Sequence, residues 1–294
     1  MNYIPGNTKL VELKNIEKEF NINSRLFGKV ENSNPSGSIK ARAVYQMLLD
    51  YKKDGILKDD SIIIEATSGN TGIALAYYTK VFGYRLIIYM PKSMSEERRR
   101  MITSLGGELK LVDGGMKEAE EEAALEVKNN PKAFMFDQFN NKNNVKAHYL
   151  ITGPEIYKDL NSVDYIFAGI GTGGTATGLA EYFKENKPST KIIGVEPFES
   201  PLLTKHVAGK HLIQGIGANF VPSILKVDLL SDIEDVKGEE AIKMAKEIRE
   251  KEELDVGISS GAALLGAINY IKRNNIEGKD VVIIFPDKGD RYSW

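Results

Sequence analysis

Three short stretches of the chain carry residue types that could do chemistry. The first is Gly169-Ile170-Gly171-Thr172-Gly173-Gly174-Thr175-Ala176-Thr177-Gly178, directly after the apolar run Tyr165 to Phe167 and directly before a helical pattern. Glycines let the backbone approach an anion and point successive N–H groups at it, and a helix N-terminus adds a favourable field of about 0.3 to 2 kcal/mol. The ligand expected here is a phosphate. The same residues satisfy a dinucleotide fingerprint in two registers, Gly169, Gly171 and Gly174 or Gly171, Gly173 and Ala176, with Glu196 about where a ribose-binding acid belongs. On these residues alone a nicotinamide dinucleotide site and a purely structural tight turn both stay open.

The second stretch, Glu65-Ala66-Thr67-Ser68-Gly69-Asn70-Thr71-Gly72, follows another apolar run and opens another helical pattern. It offers hydroxyls, an amide and backbone N–H groups but no Lys or Arg, which suits a small carboxylate better than a second phosphate. Ordinary helix capping by Ser68 or Asn70 is the plainer reading. The third stretch, Asn34-Pro35-Ser36-Gly37-Ser38-Ile39-Lys40, is turn-rich and ends in a lysine before the helical Ala41 to Leu49. A lone lysine is ordinarily a solvated surface residue. Beside a phosphate-bearing cofactor, a buried lysine can hold a carbonyl as a Schiff base, because desolvation makes its neutral amine accessible near neutral pH.

These stretches need elements to position them. Apolar runs at Ile62 to Ile64, Leu86 to Met90, Leu109 to Val112, Tyr165 to Ile170, Ile192 to Val195 and Val281 to Phe285 read as buried strands. Helical patterns lie between them, at Gly72 to Val81, Ser95 to Leu105, Met116 to Asn129, Thr177 to Glu185, Glu239 to Glu252 and Gly261 to Arg273. That alternation predicts mostly parallel sheets with helices on both faces, since parallel neighbours need crossover connections. Ser95 reads as an N-cap with Glu96 and Glu97 in the first turn, and Arg98, Arg99 and Arg100 read as a solvated face. Ala119, Ala123, Ala124 and Val127 are expected to face inward from an acidic helix. The Asn-rich segment Phe136 to Tyr149 reads as a domain junction.

Composition narrows the function classes. The 294 residues, with 39 Lys and Arg against 41 Asp and Glu, carry a formal net charge of −2 and lack the basic footprint of a nucleic-acid or anionic-membrane binder. The length suits two domains at about 150 residues each. Cysteine is absent, so disulfides, thiolate metal sites and a cysteine nucleophile are excluded. The start lacks a signal-peptide pattern and no apolar run is long enough to span a bilayer, so a cytoplasmic protein is expected.

Taken in order, Gly6-Asn7-Thr8, NPSGSIK, EATSGNTG, MPKSMSEERR, QFNN, HYLITGPEI, GIGTGGTATG, VEP, IQGIGANFVPS, VGISSGAA and FPDKGDRY resemble the cysteine synthase (O-acetylserine sulfhydrylase) family of pyridoxal-phosphate enzymes, with cystathionine β-synthase a near relative. The resemblance runs over essentially the whole chain and displaces the dinucleotide reading. It implies an α/β fold of two three-layer αβα domains of the tryptophan synthase β-like type, fold-type II, with pyridoxal 5′-phosphate in the cleft between them. The smaller domain would span 39–145 and the larger 1–38 and 146–294. Lys40 would form the Schiff base with the cofactor. Gly171, Thr172, Gly173, Gly174 and Thr175 would bind its phosphate, Asn70 its 3′-hydroxyl and Ser259 its ring nitrogen. Thr67, Ser68, Thr71 and Gln138 would hold the substrate carboxylate, in agreement with the reading of that loop from its residues, and Gly215 would line the substrate side. No metal is implied.

The reaction implied is β-replacement on a three-carbon amino acid through an α-aminoacrylate, with L-cysteine formed from O-acetyl-L-serine and sulfide. The same residues would serve the opposite flux, in which L-cysteine loses hydrogen sulfide and yields L-lanthionine or L-serine. The family also implies a homodimer. The chain departs from the family pattern at Lys40-Ala41-Arg42, at Lys9 and at Pro286-Asp287, where cysteine synthases commonly carry Pro-Ser and cystathionine β-synthases look more alike. Asp287 reads as a capping or surface acid, with a role in orienting an ammonium group or activating water as the sharper alternative. The stretch from Thr204 to Gln214 is shorter than usual, which argues against recognition of a serine acetyltransferase tail. No regulatory domain follows, so a long, allosteric cystathionine synthase is not expected. His148 could be taken for a general base, but it reads as a structural histidine or one that supports the site residues from behind, and it is left out of the site.

Lys40→Ala is expected to keep the fold, lose covalent cofactor attachment and lose turnover by several orders of magnitude, since one amine serves both attachment and proton transfer. Absorbance of the bound cofactor and steady-state rates check this, and a variant with most of its activity intact overturns the assignment.

Overall fold

The computed structural model describes residues 3–94 and 96–292. Its strands are β1 (Lys9–Glu12), β2 (Arg25–Val30), β3 (Ile62–Ala66), β4 (Arg85–Pro91), β5 (Glu108–Val112), β6 (Ala133–Met135), β7 (Tyr165–Gly169), β8 (Lys191–Pro197), β9 (Asp232–Val236) and β10 (Asp280–Phe285). Its α-helices are α1 (Lys14–Glu19), α2 (Lys40–Lys53), α3 (Asn70–Phe82), α4 (Glu96–Ser104), α5 (Met116–Asn129), α6 (Asn143–Ala147), α7 (Gly153–Asp159), α8 (Gly174–Asn186), α9 (Leu202–Lys205), α10 (Gly238–Lys251) and α11 (Ile258–Arg273).

Among the described residues the strands form two sheets, ordered β1-β2-β10-β7-β8-β9 and β5-β4-β3-β6. β1 and β2 pair antiparallel and the other neighbours pair parallel. The chain thus begins in the larger sheet, builds the smaller one from four successive strands, and returns.

Both sheets are covered on both faces, as their β-branched strands require. Along β10 the side chains alternate. Val281, Ile283 and Phe285 pack with Leu264 of α11, Met244 of α10 and Ile16 of α1, while Val282 and Ile284 pack with Leu179 of α8 and Ile156 of α7. In the smaller sheet Ile63 joins Val44, Ile73 and Ile102 from α2, α3 and α4, while Ile62 and Ile64 join Ala119 and Ala123 of α5. Each sheet is therefore the middle layer of an αβα sandwich, the α/β class that the alternation predicts.

Some elements escape the hydrophobic pattern for physical reasons. β2 reads Arg-Leu-Phe-Gly-Lys-Val, and its Lys29 hides a central strand, yet that lysine is fully buried and pairs with Glu155 at 3.1 Å. Gly28 is needed there, because a Cβ would lie 2.5 Å from the Phe285 ring of the neighbouring strand. The Asn-rich segment is helical from Asn143 onward, continuing through a π-helical turn at His148–Thr152 into α7. α6 packs against both α2 and α8, so its asparagines serve contacts rather than a solvated linker. On α5, Ala124 is exposed, in correction of the inward face expected for it. The cap expected at Ser95 lies outside the described residues.

A buried ion cluster ties the start of α2 to the larger sheet. Arg42 is fully buried and bonds both oxygens of Glu31, at 2.6 and 2.8 Å, and both oxygens of Glu155, at 3.0 and 2.7 Å. Thr8 Oγ1 donates to Glu31 at 2.7 Å, and Asn34 Nδ2 donates to the other Glu31 oxygen at 2.7 Å. Burial raises the Glu155 carboxyl, but Arg42, the Asn7 N–H and Lys29 outweigh it and hold Glu155 down to about 2. Its folded value lies below its unfolded one, so the stability it contributes is present above about pH 4.5 and is lost as pH falls toward 2. Denaturant titrations of wild type and Glu155→Gln should differ by a constant amount from pH 5 to 7, and the difference should shrink below about pH 4. A difference independent of pH down to 3 would remove Glu155 as the titrating partner.

Candidate active site

Several loops with chemical potential leave the carboxyl ends of parallel strands, where αβ sheets commonly build sites. The glycine loop leaves β7 and enters α8 through Gly173, whose φ of +83° is a left-handed conformation. Gly173 has no side chain to cap α8, and apart from a long 3.4 Å bond from the Gly174 N–H to Thr172 Oγ1 the first N–H groups are available to an anion. The glycines are also packed. A Cβ on Gly171 would overlap the Gly215 carbonyl, one on Gly174 would overlap Asn144, and one on Gly173 would lie 2.7 Å from the Leu225 Cβ. Thr172 Oγ1 accepts from Asn144 Nδ2 at 3.0 Å, and Thr175 Oγ1 lies 3.2 Å from His148 Nε2. Burial, then the charges of Arg42 and Lys40, push His148 well below 6.5, so the imidazole stays neutral. Its Nδ1 meets Thr152 Oγ1 at 2.9 Å. His148 thus touches a glycine-loop hydroxyl from behind, as a histidine supporting the site residues would.

The second loop leaves β3 and enters α3 at Asn70. Gly69 occupies the cap position and makes no side-chain cap, so the alternative in which Ser68 or Asn70 caps this helix does not occur. Thr67 and Thr71 are buried and Ser68 is partly buried. Thr71 Oγ1 donates to Gln138 Oε1 at 2.7 Å, which brings the two residues together as expected. Gln138 also receives Asn144 Nδ2 at its carbonyl, 2.9 Å away, so Asn144 bridges Gln138 and Thr172.

Lys40 is the first residue of α2, and its amine has no hydrogen-bond or ion-pair partner among the described residues. Burial pulls it down to about 8, with the charge of Asp287 opposing. Asp287 is 1% exposed and caps no helix, so the capping or surface reading of this acid is corrected. Its Oδ2 accepts from Asn70 Nδ2 and from Tyr292 Oη, each at 2.6 Å, while Oδ1 has no partner and faces Gly257. Arg291 donates to Asn70 Oδ1, so both ends of that amide are fixed and one N–H remains for a ligand. Ser259, in the first turn of α11, is buried and its hydroxyl makes no hydrogen bond among the described residues. Gly215, with φ of +94°, lies exposed beside Gln214, which accepts from Arg98. Arg98 also donates to the Ser68 carbonyl at 3.1 Å and so leaves the solvated face expected for the triplet, whereas Arg100 pairs with Glu96 on the surface.

Residues 1–287 match the family described as pyridoxal-phosphate dependent enzyme. The cysteine synthase of Buchnera aphidicola subsp. Schizaphis graminum is 45% identical over 98% of this chain and 91% of that protein. Among solved structures, a cysteine synthase from Entamoeba histolytica is 42% identical with a TM-score of 0.94, covering 98% of this chain and 87% of that one. A hydrogen sulfide-producing enzyme from Fusobacterium nucleatum is 41% identical with a TM-score of 0.93, covering 98% and 97%. The chain belongs to the pyridoxal-phosphate-dependent enzymes of fold-type II, in the cysteine synthase family. It is an enzyme, and its cofactor is pyridoxal phosphate. Glu196, the acid of the dinucleotide reading, instead accepts from the N–H groups of Leu203 and Thr204 at the start of α9.

The residues present fit that cofactor. An unpartnered lysine amine, an unpartnered serine hydroxyl, the orphaned Ser38 Oγ and an uncapped glycine cradle are what an aldehyde, a ring nitrogen and a phosphate would complete. Thr175→Val should weaken cofactor binding about tenfold, the worth of one hydrogen bond to a charged group, and His148→Leu should do so by less. Equilibrium titration of the apoenzyme with pyridoxal phosphate measures both. Unchanged affinity in Thr175→Val would place the phosphate elsewhere.

Proposed function

We propose that this enzyme makes L-cysteine and acetate from O-acetyl-L-serine and sulfide, by β-replacement at a three-carbon amino acid. The observation that carries the reading is Lys40, which opens α2 with an amine that has no hydrogen-bond or ion-pair partner among the described residues, in a fold that also holds the uncapped start of α3 and the glycine loop before α8.

The bound cofactor supplies an electron sink that makes the amino acid Cα acidic. Lys40 carries it and moves the Cα proton, with a neutral amine made accessible by burial. Gly171, Thr172, Gly173, Gly174 and Thr175 would hold the phosphate, and the remaining N–H of Asn70 would serve the 3′-hydroxyl. Ser259 offers the ring nitrogen a neutral hydroxyl, which favours elimination and replacement over transamination. Thr67, Ser68 and Gln138 bind the substrate carboxylate. Thr71 spends its proton on Gln138 and so acts chiefly by fixing that amide. Gly215 leaves room on the substrate side. The division into 39–145 and 1–38 with 146–294 is supported by the smaller sheet, whose strands lie within the first range. The family likeness supports a homodimer acting in the cytoplasm, and among the described residues no helix is long and apolar enough to cross a membrane.

A second reading has a specific support, the buried acid Asp287 together with the likeness to a hydrogen sulfide-producing enzyme. In it, L-cysteine loses hydrogen sulfide and a second cysteine or water adds at Cβ, giving L-lanthionine or L-serine. Incubation with O-acetyl-L-serine plus sulfide, and separately with L-cysteine alone, should give the faster initial rate in the first mixture. On the second reading Asp287→Ser depresses sulfide release from cysteine more than cysteine formation. Equal effects, or no sulfide from cysteine, would leave synthesis alone.

A further inference from the structure

Glu65 is a buried carboxylate that the mechanism above does not use. It lies one residue before the end of β3 at 4% exposure, and among the described residues no cation pairs with it. Such a group is costly unless its hydrogen bonds are met and serve a purpose. Oε2 accepts from the Asp137 N–H at 2.9 Å and Oε1 accepts from Gln138 Nε2 at 3.0 Å. Asp137 itself sits at φ +60°, a left-handed conformation that aspartate tolerates better than most residues, and Glu65 accepts the N–H of that turn. Burial pushes Glu65 up to about 8, against the hydrogen bonds from the Asp137 N–H and the Gln138 amide, which favour the ionised form that accepts on both oxygens.

We infer that Glu65 is a positioning residue for substrate-carboxylate recognition, acting through the Gln138 amide. A carboxamide can present either its oxygen or its NH2 in a given direction, and the two are nearly isosteric. Glu65 accepts on one side and Thr71 Oγ1 donates on the other, so only one orientation satisfies both. That orientation leaves the second Gln138 N–H uncommitted and available to an anionic oxygen. With a glutamine at position 65, one of the two N–H donors facing it meets an NH2 instead of an oxygen, and the Gln138 amide gains a reason to flip. The inference rests on the proposed carboxylate site.

The test is a double-mutant cycle on holoenzyme with L-2-aminobutyrate, a substrate-shaped amino acid without a β-leaving group, and with propylamine, which lacks the carboxylate. Equilibrium binding is followed by calorimetry at about pH 9, above the value of about 8 for Glu65, so that the wild-type group is ionised. Glu65→Gln should weaken L-2-aminobutyrate about tenfold and leave propylamine unchanged, the size expected for one hydrogen bond to a charged group. In a Gln138→Ala background the same substitution should have no further effect. If Gln138→Ala weakens the amino acid but Glu65→Gln then adds its full loss, Glu65 does not act through the amide and the inference falls. If Gln138→Ala alone leaves the amino acid's affinity intact, the carboxylate site itself is misplaced. Should Glu65→Gln fail to fold, Glu65→Asp keeps the charge, shortens the reach to Gln138 and is read the same way.

Discussion

Arg42 cannot leave its two carboxylates without stranding buried charge, and the rest of the site depends on that constraint. It lies two residues beyond Lys40 in the first turn of α2, with Glu31 just past the end of β2 and Glu155 on α7. Removing one member of such a cluster typically costs about 3 to 5 kcal/mol, because the partner's desolvation is no longer offset. The start of α2 is therefore fixed to the larger sheet, while the body of the same helix packs on α3 of the smaller sandwich. Lys40 sits where the two meet. An amine that must have no partner of its own has to be held by its backbone, and the ion cluster supplies that hold.

Fixing the backbone leaves the side chains around Lys40 free to be specified by hydrogen bonds. Two buried acids do comparable work on two amides. Asp287 accepts from Asn70 while Arg291 donates to its oxygen, and Glu65 accepts from Gln138 while Thr71 donates to its oxygen. Each amide has one acceptor and one donor as neighbours, so each has one orientation and one spare N–H. Asn144 then links Gln138 to Thr172, joining the second loop to the glycine loop. The polar network spans the loops, and neither loop's own sequence carries a lysine or arginine.

How much of this is legible in the sequence follows from how local each feature is. The glycine loop and TSGNTG are contiguous, so their anion-binding character and their place between strand and helix can be read from neighbouring residues. Four strands lack such a local signal. β2 is interrupted by a lysine whose partners lie on α7, β6 is three residues long, β9 is a polar edge, and β1 is a short edge strand. The setting of Asp287 is equally non-local. A single acid after a strand looks like a cap until Asn70, over two hundred residues earlier, is brought against it. His148 and Glu65 were hidden in the same way, because their partners at Thr175 and Gln138 lie 27 and 73 residues away.

The choice of neutral donors in the carboxylate loop has its own physical logic. An arginine there would bind a carboxylate tightly in the ground state, and uniform binding of that kind does not lower the barrier to the chemical step. It would also offer Glu65 a nearby cation and draw it out of the position that orients Gln138. Arg98 sits close to the loop but spends its donors on the Ser68 carbonyl and on Gln214, which turns it into a tie between α4 and the Gly215 segment. The loop instead depends on amides and hydroxyls whose strength comes from being pre-aimed in a dry cleft. In such a site the residues that never touch the substrate, Glu65 and Arg42 among them, decide whether the ones that do are aimed correctly.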